Sequence, residues 1–227
     1  MAKTIFKGAH LTDRKLKQLM ELFCEDLTAT QIANITGVSR ITVNSYIRKM
    51  RQLMTFQVEF EKAGAMAFRT DLKAETMQLR TDEQQPDEKE LSGYGLMKIE
   101  GRVFSDPLFN LSTTVRTLVK QKKWEELTET DERFMKRYSG LIAPDLSKMT
   151  RFQGEMDIAD SFWAFTRSRL VKFKGISKQT GYYHLKESEF RFLYRQQPLF
   201  PVLMKLIRQH TAGNRFPLSI FFGNEKI

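Results

Sequence analysis

Apolar residues in the first 54 positions recur at intervals of three and four, the spacing of amphipathic helices. The pattern predicts a helix over residues 11–26 with Thr12 as its N-cap, and a second short helix with the sequence TQIANIT, capped by Thr28 or Thr30. Gly37-Val38-Ser39 has the composition of a tight turn, after which a third helix is predicted from Arg40 towards Met54.

These three helices have the spacing of a helix-turn-helix domain over residues 1–54. The small Ala33 allows the second and third helices to approach closely, and Gly37 accommodates the turn between them. The predicted inner face of the third helix comprises Val38, Val43, Tyr46 or Ile47, and Met50.

The polar face of the third helix carries the candidate DNA-contacting side chains. They are Ser39, as the helix cap, and Arg40, Thr42, Asn44, Ser45 and Arg48. Arginine pairs bidentately with guanine and asparagine with adenine, while hydroxyls near a helix N-terminus suit phosphates. A polar bundle surface or a protein-binding module is the alternative; the pattern and its positive charge favour DNA.

The middle of the chain is less regular. Residues 55–92 are interpreted as an acidic connector. Within it, AMAF and ETMQL have the pattern of short strands, and TDEQQPDEKE has the composition of an exposed loop. Residues 93–108 predict a β-hairpin with Glu100-Gly101 at its turn. Ser112 or Thr113 then caps a predicted helix, TTVRTLVKQK.

The stretch from Asp157 to Phe192 combines acidic, basic and aromatic residues. Asp157 and Asp160 lie one turn apart at the start of a predicted helix that ends at Gly175, and a second amphipathic segment follows. Acids followed by basic residues suit metal ions held near a phosphate backbone; the alternative is a helix pair with a solvated basic face. The candidate phosphate-contacting residues are Arg167, Arg169, Lys172 and Lys174. A helix, LFPVLMKLIRQH, precedes a C-terminal tail at 211–227.

Charge is distributed unevenly over the 227 residues, whose formal net charge is +10. Residues 1–54 carry nine basic and four acidic residues, and residues 161–227 carry twelve and three. Two basic ends favour a polyanionic partner, and the chain has no transmembrane run. Cys24, expected to be buried, is the single cysteine, which excludes an internal disulfide and a zinc ribbon.

The segment DSFWAFTRSRLVKFKG followed by HLKESEFRF resembles the C-terminal signature of small bacterial insertion-sequence transposases, in the group without a zinc ribbon. That resemblance implies an N-terminal helix-turn-helix and an RNase H-like domain with a DDE acidic triad. The expected fold class is therefore α+β or α/β, with a mixed sheet and flanking helices over residues 93–210.

The resemblance carries over only part of the acidic triad. Asp160 stands at the third acidic position, whereas the first is Ala74 and the second is Arg133. Asp71 and Asp131 could supply the missing acids if the chain is displaced locally. Two-metal chemistry needs several converging carboxylates, so we expect a DNA-binding protein derived from a transposase that lacks strand-transfer activity.

Two further functions stay open at this stage. One is an active DDE transposase that uses Mg²⁺ or Mn²⁺ with Asp71, Asp131 and Asp160; without that activity no cofactor is expected. The other is a protein-interaction module. The expected partners are double-stranded DNA, a second copy of the chain and proteins of a nucleoprotein complex, without a membrane, in the bacterial cytoplasm at the nucleoid.

Overall fold

A computed structural model describes residues 11–67, 90–109, 137–152, 156–173 and 176–211, with the single residues 111, 117 and 121. The helices of these residues are α1 (Asp13–Cys24), α2 (Ala29–Thr36), α3 (Arg40–Ala67), α4 (Ile158–Leu170), α5 (Lys178–Leu193) and α6 (Leu199–Thr211). The strands are β1 (Leu91–Ile99), β2 (Arg102–Phe109), β3 (Gly140–Ile142) and β4 (Met149–Arg151). The class is α+β, and the chain divides into two compact units, residues 1–56 with 194–227, and residues 57–193.

The first unit contains α1, α2, the start of α3, and α6. Local hydrogen bonds set the first two helix starts: the Lys15 amide donates to Thr12 Oγ1, and Thr28 forms a capping box with Gln31. Gly37 ends α2 with φ of +68°, a conformation that costs glycine little. The predicted Thr12 cap and Gly37 turn are confirmed, and Thr28 is the cap of α2.

Apolar side chains from all four helices fill the interior of the first unit. They are Leu16, Leu19, Met20, Phe23, Ile32, Val38, Val43, Tyr46, Ile47, Met50, Leu53, Met54, Phe56, Leu203, Leu206 and Ile207. The predicted inner face of the third helix is therefore confirmed. Helix α6 packs against α1, so Leu199–Thr211 lies with the N-terminal helices, whereas the sequence placed residues 93–210 in one domain. Cys24 is only partly buried.

Helix α3 is longer than the sequence pattern predicted. It continues through the predicted boundary at residue 54 to Ala67, so the assignment of AMAF to a strand is wrong for residues 65–67, which are helical. The reason is that buried Met54, Val58 and Ala65 extend the helical repeat, and Gly64 alone does not end it. The ETMQL segment, the acidic loop and the tail after residue 211 lie outside the described residues, and of the helix predicted after Ser112 or Thr113 only Thr117 and Gln121 are described, both helical.

The second unit is built on a four-stranded sheet with the order β2-β1-β3-β4. The hairpin of β1 and β2 is confirmed, and both turn residues, Glu100 and Gly101, have positive φ, as a type I′ turn requires. Every pairing among the described strands is antiparallel, so the mixed sheet that we expected is not found there.

Helices α4 and α5 pack against each other and against β2. The second unit's core includes Tyr94, Leu96, Val103, Ile142, Leu146, Ala159, Phe162, Leu170, Leu185 and Phe192. The rings of Phe162 and Phe192 meet edge to face, with centroids 5.5 Å apart. Helix α4 ends at Leu170, before the predicted stop at Gly175.

Helix α5 was predicted to be amphipathic, and this is wrong for its second half. Every residue from His184 to Phe192 is buried, including four that carry formal charges. Such burial is tolerated only when the charges are paired within the protein. None of the helices within the described ranges combines the length and the apolar composition needed to cross a bilayer.

Candidate nucleic-acid interface

The outer face of α3 presents an exposed polar surface over its first turns. Arg40, Asn44, Ser45 and Arg48 are exposed, while Val43, Tyr46, Ile47 and Met50 on the other side are buried. The burial of one side fixes the orientation of the helix within its unit, so the outer side chains are available to a partner. We name Arg40, Ile41, Asn44, Ser45 and Arg48 the outer face of α3.

Ser39 and Thr42 together form the cap of this helix. The Thr42 amide donates to Ser39 Oγ at 3.2 Å, and the two hydroxyl oxygens are 2.8 Å apart. Ser39 is exposed, whereas Thr42 is half-buried. Both hydroxyls therefore stabilise the start of the helix. A phosphate bound there would form hydrogen bonds with groups that already take part in the cap.

The charge of α3 has one sign over its first nineteen residues. Between Arg40 and Val58 the sequence contains Arg40, Arg48, Lys49 and Arg51 and no carboxylate. Lys49 lies over the Tyr46 ring, 5.5 Å from its centroid. Cations with no acid among them attract a polyanion and repel a basic surface.

Sequence reasoning missed one member of the outer face, Ile41, which is 83% exposed. Its position three residues before Asn44 and seven before Arg48 was visible in the sequence, since these intervals place all three on one side of a helix. An exposed isoleucine among polar residues was the signal that could have identified it.

The two acids that begin α4 form its cap. The Asp157 carboxylate accepts from the Ala159 amide at 2.7 Å, and the Asp160 carboxylate accepts from the Asp157 amide at 2.9 Å. Each also faces a cation: Lys98 pairs with Asp157, and Arg151 lies 3.4 Å from Asp160. Burial alone would raise the pKa of Asp157, but the Lys98 ammonium and the Ala159 amide lower it below its ordinary value.

This arrangement is that of a helix start. No group of three histidines, cysteines or carboxylates able to hold a metal occurs in the part of the chain that the structure describes. Asp71 and Asp131, like Ala74 and Arg133, lie outside that part.

The four predicted phosphate-contacting residues of α4 and its end do not form one surface. Arg167 and Lys172 are exposed, and Lys174 lies outside the described residues. Arg169 is buried, with its guanidinium paired to Glu187 and its Nη1 donating to Ser188 Oγ at 2.8 Å. Its burial contradicts the prediction that it contacts phosphate, because the guanidinium is enclosed in the protein and paired there with Glu187.

A buried ionic network links α3, β2 and α5 within the second unit. Lys186, which is fully buried, places its Nζ 2.5 Å from Glu59, 3.1 Å from Glu189 and 2.7 Å from the Ser105 carbonyl oxygen. We name Glu59, Lys62, Asp106, Lys186 and Glu189 the buried ionic network.

Lys62 continues this network towards β2. Its Nζ lies 2.5 Å from Glu59 and 2.6 Å from Asp106, and Tyr138 donates to Asp106 at 3.1 Å. Pairing of this kind compensates for the loss of water around the charges and holds three elements in one register.

The pKa values in the network follow from burial opposed by pairing. Burial would raise the pKa of both Glu59 and Asp106, but the ammonium groups of Lys186 and Lys62 lower it below the ordinary value. Burial raises the pKa of Glu189, and the Lys186 ammonium offsets this only in part. Burial would lower the pKa of Lys186, but the carboxylates of Glu189 and Glu59 raise it above its ordinary value.

A cavity of about 590 Å³ lies within the first unit, between α1 and α6. It is lined by Lys17, Phe200, Pro201, Met204, Lys205, Arg208 and Gln209. These residues include no carboxylate, histidine, serine or cysteine, so the ionisable groups of the lining are the cations Lys17, Lys205 and Arg208.

The comparisons with known proteins add no assignment: no protein-family model, curated protein or solved structure matches this chain.

Proposed function

We propose that this chain is a sequence-specific DNA-binding protein in which α2 and α3, joined at Gly37, act as a helix-turn-helix. The outer face of α3 enters the major groove. The observation that carries the proposal is the division of α3 into a buried apolar side and an exposed side with Arg40, Asn44 and Arg48.

The chemistry of this face matches base edges better than it matches a protein surface. Arginine donates two hydrogen bonds to guanine O6 and N7, and asparagine pairs with adenine N6 and N7. Four cations without an acid supply the attraction to phosphate that positions such a helix.

The proposal includes descent from an insertion-sequence transposase, on the resemblance of residues 160–192, with the second unit as an RNase H-like remnant. We propose that strand transfer has been lost, because Asp160 caps a helix and faces Arg151. The role is then regulatory or architectural in a nucleoprotein complex of the bacterial nucleoid, as a homodimer on DNA.

The proposal is tested by selecting bound duplexes from a random library with the full chain and measuring affinity by fluorescence anisotropy. Arg40→Ala and Asn44→Ala should each weaken binding to the selected duplex by about 1–3 kcal/mol, roughly 5–150-fold. Arg14→Ala, an exposed arginine on α1, is the matched control and should bind within about twofold.

Absence of any enriched duplex, or equal affinity in all three variants, would remove the DNA function from α3. Protein contact by the same face is then the remaining explanation. In that case Arg40→Ala should disrupt self-association, measured by sedimentation, with no effect of added DNA.

A further inference from the structure

Ile41 occupies the centre of the outer face of α3. Asn44, Ser45 and Arg48 follow it at intervals of three, four and seven residues, which places all four on one side of the helix. It is 83% exposed, the second residue of the helix, and contributes nothing to the buried side.

An exposed isoleucine at this position is not explained by the fold. Its β-branched side chain has lower helix propensity than alanine, lysine or glutamate. Single exposed apolar residues are common on proteins, but this one lies among Arg40, Asn44 and Arg48 on a helix whose first nineteen residues contain no carboxylate. The partner that fits is a polyanion carrying an apolar group among hydrogen-bonding groups.

The major groove of DNA offers one such group, the C5-methyl of thymine, beside the acceptors and donors of the other bases. Resting on the proposed DNA function, we infer that Ile41 contacts a thymine methyl and is a specificity-determining residue of the site. Asn44, one turn further along the same face, reads a neighbouring base by hydrogen bonds. The DNA sequence is thus recognised partly by apolar contact with the thymine methyl group and not by hydrogen bonds alone.

The test replaces each thymine of the selected duplex by deoxyuridine, which removes only the methyl group and keeps the base pair. For the full-length protein, one such replacement should weaken binding about fourfold, the effect of one buried methyl group. Ile41→Ala should bind the thymine duplex several-fold more weakly and lose its sensitivity at that single position.

Ile35→Ala provides the matched control, since Ile35 is an exposed isoleucine on α2 and not on the outer face. It should retain the wild-type response to deoxyuridine. Thermal unfolding of both variants should match the wild type, because neither side chain is buried, so a change in affinity is not a folding defect.

The outcomes separate this inference from the proposed function. If Asn44→Ala weakens binding but no deoxyuridine position and no Ile41 variant does, Ile41 does not read a methyl group and the DNA function stands. A selected DNA site that contains no thymine would likewise show that Ile41 does not contact a thymine methyl group, while the DNA function stands. If Ile41→Ala instead disrupts dimer formation and leaves DNA affinity unchanged, the side chain belongs to a protein contact and the inference is overturned.

Discussion

The Nζ of Lys186 lies 2.5 Å from Glu59 Oε1, although the two residues come from α5 and α3, which are far apart in the sequence. Lys186 is fully buried, and its Nζ also contacts Glu189 and the Ser105 carbonyl and lies over the Tyr182 ring. A buried ammonium so completely surrounded by oxygen atoms fixes the position of α5 against β2 and the end of α3.

Replacing Lys186 by methionine should destabilise the protein by about 3–5 kcal/mol, because Glu189 is left buried without this cation and Glu59 loses one of its two paired lysines, keeping Lys62. The free energy of unfolding from urea titration measures this. Lys205→Met removes an exposed lysine and should change stability by less than about 0.5 kcal/mol. Equal effects of the two variants would show that the buried ionic network does not stabilise the fold.

The network also predicts a loss of stability in acid. The pKa of Glu59 and that of Asp106 are lowered by Lys186 and Lys62 against the effect of burial, from ordinary values of 4.5 and 3.8. Their contribution is complete above those ordinary values and is lost as the pH falls through the lower folded values. The raised pKa of Glu189 acts in the opposite sense and offsets part of this loss.

Glu59→Gln should therefore lower the melting temperature near neutral pH and reduce its decline between about pH 5 and pH 3. Glu25→Gln, at an exposed carboxylate, should follow the wild-type curve. A wild-type melting temperature that is constant over this interval would contradict the assignment of stability to these two acids.

Local features of the first unit were predictable from sequence, and the long-range ionic contacts were not. Thr12, Thr28 and Gly37 form hydrogen bonds with backbone groups no more than four residues away, so their roles can be predicted from the adjacent sequence. Lys186 and Glu189 occur in a polar run that has the appearance of a solvated helix. Their partner Ser105 lies more than 80 positions away, so only the folded chain shows that they are buried.

The candidate sites follow the same division. The outer face of α3 could be predicted because its opposite side has a regular apolar repeat, whereas the burial of Arg169 depends on Glu187 in another helix. The helical continuation to Ala67 was missed because the net charge changes sign near residue 55. This change was interpreted as a domain boundary, although the apolar repeat of the helix continues through it.

Arg169 and Arg167 form a natural test pair, two arginines on one helix in opposite environments. Arg169→Met should cost about 3–5 kcal/mol, since Glu187 loses a buried cation, although Arg191 stays 2.9 Å away. Arg167→Met, at an exposed position, should leave stability within about 0.5 kcal/mol. Chemical denaturation compares them; a stable Arg169→Met protein would mean that the pair with Glu187 contributes little.

Gly95 and Gly64 should respond in opposite directions to alanine. A Cβ at Gly95 would lie 2.5 Å from the Tyr138 ring, whereas at Gly64 in α3 it would meet nothing within 4 Å. We expect Gly95→Ala to destabilise the protein by about 1–3 kcal/mol, and Gly64→Ala to stabilise it by roughly 0.5–1 kcal/mol through lower chain entropy.

A double-mutant cycle identifies the cause of the Gly95 effect. If the clash is with the tyrosine ring, Gly95→Ala combined with Tyr138→Ala should cost less than the sum of the two single changes. Additive losses would place the strain elsewhere in the sheet.

Substitution of Asp160 distinguishes a helix-capping role from a catalytic role in strand cleavage. If its carboxylate serves the capping box of α4, Asp160→Ala should cost about 0.5–2 kcal/mol of stability. Supercoiled plasmid incubated with the wild-type protein and Mn²⁺ should stay uncut, because Arg151 and Lys98 oppose a divalent ion beside these acids. Asp145→Ala changes an exposed turn carboxylate and is the control for both measurements. Nicking that persists in Asp145→Ala and disappears in Asp160→Ala would show that the acid is catalytic and that its metal-binding partners come from other parts of the chain.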